Sequence, residues 1–182
     1  MVETFMLPST GIGFAPAIIL VVIAGGAALH YFFPRQGLPK LNKGSAVGIV
    51  LALLVGGGLA ATFLNPSAPT IAVGPGQVSI SAQVIGTMSF QATDMKQACT
   101  QTVGSGLLAS MFKQSGTNYG NYNVGTYSLD NGATAYVVSD NPSNVVVELD
   151  SGLYLVLGPP SSNFTGFVSY FSENVLPVTS CS

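Results

Sequence analysis

Apolar residues fall in two textures along the chain. The stretches "GIGFAPAIILVVIAGGAALHYFF", Gly11 to Phe33, and "AVGIVLALLVGGGLAATFL", Ala46 to Leu64, carry no charged residue. At 1.5 Å rise per residue, roughly 20 such positions reach across a hydrocarbon core of about 30 Å, so hydropathy predicts two transmembrane helices, 11–33 and 46–64. Pro66 and Pro69 cannot continue the second. A cleaved secretory signal is the rival reading of the first run. It needs a basic n-region, and "MVETFMLPST" supplies an acid and no base.

After a Pro- and Ser-bearing linker at 65–72, the period changes. In "QVSISAQVI", Val78, Ile80, Ala82 and Val84 alternate with polar residues, the two-residue period of a half-buried strand. "GTYSL", "DNG" and "ATAYVVS" read as a hairpin, because Asn-Gly tolerates the positive φ of a tight turn. "VVVEL", "DSG" and "LYLVL" read as a second. "NFTGFVSYFSENV", Asn163 to Val175, places Phe164, Phe167, Val168, Phe171 and Val175 on one helical face. The fold class expected is therefore a helical hairpin in the membrane (1–64) followed by a mainly β domain, 73–182, with a C-terminal helix.

That order of elements, from Val124 to Val175, resembles the bacterial and archaeal pleckstrin-homology-like domains, in which a bent antiparallel sheet or barrel is capped by a C-terminal helix. The resemblance implies a binding or assembly module. Eukaryotic members often hold phosphoinositide headgroups with basic residues near the first hairpin. Gly74 to Gln91 contains no Lys or Arg, so that activity does not carry over.

Charge supplies an orientation. Only 7% of the residues are charged, against about a quarter in ordinary soluble domains. Three of the five bases, Arg35, Lys40 and Lys43, lie in the short connection between the apolar runs. Basic loops stay cytoplasmic, which predicts a multi-pass cell-membrane protein with its N-terminus and C-terminal domain outside. Ala52, Gly56 and Ala60, echoed by Ala24 and Ala28, offer small-residue faces for helix packing on each other or on a larger membrane complex. His30 reads as an interfacial residue, with haem ligation or proton transfer the functional alternative. A net charge of −2 without a basic stripe excludes nucleic acid as a partner.

Candidate chemistry is sparse. Cys99 and Cys181, on the expected external side, are read as a disulfide, with two free thiols the alternative. Asn163 begins an Asn-Phe-Thr glycosylation acceptor. Asp140, Glu148 and Asp150 flank the second hairpin without the spacing of a calcium loop, and no metal or cofactor is expected. With no histidine beyond residue 64 a Ser-His-Asp triad cannot assemble, and neither Lys96 nor Lys113 is marked as a catalytic base. Tyr119 and Tyr122 are candidate interface anchors. The neutral polar surface suits an acidic exterior and, with it, an archaeal host.

The function expected is a non-catalytic, membrane-anchored accessory or scaffold subunit of a membrane or cell-envelope complex. Its partners are the lipid bilayer and other subunits, and no small-molecule substrate is identified. An extracytoplasmic ligand-binding or sensor module is the alternative.

Overall fold

The computed structural model describes residues 1–8 and 68–181, which belong to one compact unit. Two sheets and one helix build it. The smaller sheet has the order β1-β2-β3-β4, formed by Glu3–Met6, Thr70–Gly74, Gln77–Ala82 and Gly86–Gln91, all antiparallel. The larger has the order β11-β5-β9-β10-β8-β7-β6. Its strands are β5 (Met95–Thr102), β6 (Phe112–Tyr119), β7 (Tyr122–Ser128), β8 (Thr134–Asp140), β9 (Ser143–Leu149), β10 (Tyr154–Gly158) and β11 (Val178–Ser180). The helix α1, Ser161–Asn174, lies between β10 and β11 in the chain.

Local patterns explain the antiparallel pieces. Val78, Ile80 and Ala82 are buried as their alternation requires, while Ser79 and Ser81 face outward and bond Ser89 and Thr87 across the sheet at 2.6 and 2.8 Å. The alternation ends there: Val84 sits in the following turn and is exposed. Both expected hairpins form. Strand β7 pairs with β8 around a turn in which Gly132 takes φ +79°, a conformation that costs glycine nothing, and β9 pairs with β10 around Asp150–Gly152.

Strands β8, β9 and β10 read as nearly continuous apolar runs because both of their faces are covered. On one face Val138, Val145, Val147, Leu155 and Leu157 meet the small sheet and α1, and on the other Ala135, Val137, Val146 and Val156 meet Leu108 and Tyr127. The helix enters the first core through Phe167 and Phe171, both fully buried, and Phe167 stands edge-on to Phe5 of β1 at 5.0 Å between ring centres.

The membrane-hairpin fold class and the multi-pass location require correction. Among the described residues no helix is long and apolar enough to cross a membrane, and the architecture is mainly β with one 14-residue helix. The expected spans lie outside the described residues, together with Ala24, Ala28, His30, Arg35, Lys40, Lys43, Ala52, Gly56 and Ala60. Hydropathy reports that these runs are apolar and does not by itself fix a backbone form.

The expected antiparallel, pleckstrin-homology-like sheet also differs. The strands divide between two sheets, and β8 with β10 and β5 with β11 pair in parallel. Sequence alone assigns residues 1–10 no element, yet β1 supplies an edge of the small sheet with Phe5 and Leu7 buried. The Leu7 amide donates to the Pro69 carbonyl at 2.9 Å, so the chain departs and returns at one corner.

Two outcomes follow from this core. Phe167→Ala should cost about 3–5 kcal/mol by chemical denaturation, since it empties the contact between α1, β1 and the large sheet. Tyr127 is fully buried and donates its phenol to the Thr117 carbonyl at 3.0 Å; burial raises its pKa above the ordinary 10.0, partly offset by Asn118. A raised folded pKa makes that contribution complete below pH 10 and lost as pH climbs through the raised value. The alkaline fall in denaturation midpoint should therefore be shallower in Tyr127→Phe.

Candidate functional site

The last three residues of β5, the loop after it, the start of β9, the first half of α1 and the end of β11 surround a cleft of about 710 Å³. That volume lies within the usual range for small-molecule sites. One wall is the helix. Phe164 and Val168, four residues apart, form a half-buried apolar strip, and Thr165 and Ser169 form a hydroxyl strip beside it. Thr100, Gln101 and Thr102 come from β5, Ser105 from the loop beyond, Ser143 from β9, and Ser180 and Cys181 from the C-terminal strand and the residue after it.

A buried polar knot sets the helix against the sheet. In the loop "DNPSN", the Asn141 side chain donates to the Pro159 carbonyl at 3.0 Å and accepts the Ser143 amide at 3.0 Å. Asn144 donates to the Asn141 and Pro142 carbonyls, both at 3.2 Å. Gly158 allows this packing, because a Cβ there would collide with Ser139 Oγ and Asn144 Oδ1. The knot thus ties the β8–β9 turn to the residues that lead into α1, and Ser143 with it to the cleft edge. At its other end α1 is tied down where the Asn174 carbonyl accepts the Gly76 amide at 2.7 Å.

The C-terminal wall depends on the disulfide. Cys99 and Cys181 are joined across 82 residues of chain, and β11 lies in parallel register on β5 with Thr179 opposite Cys99. A three-residue strand has little pairing energy of its own. The covalent link, with the Cys181 amide on the Thr100 carbonyl at 3.2 Å, holds it against β5.

None of the described residues that line the cleft is charged. The hydroxyls of Thr102, Ser143, Thr165, Ser169 and Ser180 make no hydrogen bond to another described residue, so their donors and acceptors face water or a ligand. Gln101 lies over Gly106, its Oε1 shielded from solvent and without a hydrogen-bond partner among the described residues. The arrangement can hold a polar molecule by many neutral hydrogen bonds and one apolar strip. It lacks a group able to take or give a proton near neutral pH.

The other residues singled out from sequence are scattered. Asn163 is exposed in the first turn of α1, at the cleft rim, since its neighbours Phe164 and Thr165 line the cleft. Tyr119 is 80% exposed at the end of β6, but Tyr122 opposite it on β7 is only 7% exposed and belongs to the core. Glu148 accepts from Lys96 at 3.2 Å and from Gln97 at 2.9 Å. Asp140, Glu148 and Asp150 belong to no group of three His, Cys, Asp or Glu able to hold a metal among the described residues. Lys113 is exposed on β6.

Sequence reading did not find Gln101, Thr102, Ser143 or Ser169. The one available signal was the pair Thr165 and Ser169, which share a helical face beside Phe164 and Val168. Comparison with family models, curated proteins and solved structures finds no match, so neither a pleckstrin-homology-like family nor a host is identified.

Breaking the Cys99–Cys181 link tests the C-terminal wall. Cys99→Ser with Cys181→Ser should lower stability by about 2–4 kcal/mol, and amide exchange should accelerate at residues 178–181 before the rest of the domain.

Proposed function

We propose that this chain is a non-catalytic binding module that acts in an oxidising compartment and holds a neutral polar ligand in the cleft between α1, β5 and β11. The observation that carries the reading is the lining itself: five hydroxyls with no hydrogen bond to another described residue, beside an apolar strip, and no charged group among the described lining residues. Convergent polar groups on a concave, partly apolar surface are what a small-molecule site requires. The Cys99–Cys181 disulfide supports the compartment, since such links persist where thiols are not kept reduced.

A second reading has its own support. Strand β6 is one of the two edge strands of the large sheet among the described residues, with Phe112 70% and Tyr119 80% exposed near its two ends. An edge with no strand partner among the described residues and bearing exposed aromatics favours protein contact, which is how an accessory or scaffold subunit would use this domain.

A thermal-shift screen of neutral polar fragments against the full-length chain separates the two. Hits that raise the melting temperature and disappear in Ser169→Trp, which fills the cleft from the helix side, are the expected result. Hits that survive Ser169→Trp, or none at all, would overturn the cleft reading. Loss of a stoichiometric protein partner on Phe112→Ser with Tyr119→Ser would then favour the edge.

A further inference from the structure

The geometry points to a neutral saccharide as the ligand of the α1–β5–β11 cleft, an inference that rests on the binding reading above. Three properties of the lining narrow the chemistry. First, it has no formal charge. A phosphate, carboxylate or ammonium group entering it would give up hydration without meeting a counter-charge, a cost that neutral hydroxyls on a ligand escape.

Second, the polar groups are mostly hydroxyls. Thr102, Ser143, Thr165, Ser169 and Ser180 can each donate one hydrogen bond and accept two, and none is committed to another described residue. A ligand that is itself a dense array of hydroxyls, each both donor and acceptor, matches that inventory and lets bonds run in chains that reinforce one another. A ligand with only acceptors would leave the acceptor sites unused, and one with only donors the hydroxyl protons.

Third, the hydroxyls lie beside an apolar surface of suitable shape. Phe164 and Val168 are half-buried and adjacent on the helix. A pyranose ring has a face of C–H bonds and an equator of hydroxyls. Laid on the Phe164 ring, it would cover the apolar strip with its C–H face and direct its equator toward Thr165 and Ser169 on one side and β5 and β11 on the other. The volume of about 710 Å³ accommodates more than one ring, so a short oligosaccharide fits better than a single sugar.

Retention of the full-length chain on immobilised oligosaccharides tests the assignment, with neutral oligomers of glucose, mannose, galactose and N-acetylglucosamine set beside uronate and sulfated oligomers. At least one neutral oligomer should be retained, about tenfold more weakly by Phe164→Ala and nearly normally by Phe164→Tyr. Thr102→Asp, which places a charge at an exposed lining position without touching the core, should weaken it similarly. Preference for the uronate or sulfated oligomers, or retention indifferent to both Phe164→Ala and Thr102→Asp, would overturn the saccharide assignment. If no oligosaccharide is retained while fragments still bind in a manner blocked by Ser169→Trp, the saccharide is wrong and the cleft stands. If fragments fail too, both readings fall.

Discussion

The burial of Phe167 and Phe171 is the contact on which the rest of the molecule depends. Neither sheet is complete without the other: the small one has a single apolar face, and the large one needs cover on both. Two aromatic rings on successive turns of α1 supply much of the filling where β1, β2 and the large sheet converge. Because those rings fix the helix in height and rotation, they also fix Phe164, Thr165, Val168 and Ser169, which lie on the flank of the same helix. The geometry of the cleft wall is thus inherited from the core.

This coupling of core to site explains what sequence could and could not disclose. The two hairpins were legible because a turn residue of defined φ sits between apolar strands only a few residues apart. The helix was legible because its period is local. The Cys99–Cys181 pair was legible because only two cysteines exist. In contrast, β1 is four residues long and finds its partner beyond Pro69, and β11 is three residues long and pairs with a strand some 80 residues earlier. Such pairings leave no periodic trace. The division into two sheets and the parallel placement of β10 on β8 are likewise decided by packing.

The apolar stretches before residue 65 teach a narrower lesson. An uncharged run reports what a segment would lose by facing water. It does not report the backbone form that such a run takes. Tyr122 illustrates the same point within the β domain. Paired with Tyr119 across the hairpin and so on the same face of the sheet, it is buried where Tyr119 is not because β7 lies one strand in from the edge that β6 forms.

The closure of Leu7 on Pro69 bears on how the gene for this protein can vary. Since the polypeptide quits the small sheet and rejoins it at neighbouring residues, the intervening portion is topologically a guest in an otherwise continuous β domain. Insertions of that kind can be lengthened, trimmed or exchanged with little effect on the host, because the pairing of β1 with β2 and the Leu7–Pro69 bond close the sheet on either side of the junction. Divergence between related chains would then accumulate between these two residues, while Phe5, Ile71 and Phe167 stayed apolar on both sides of the junction.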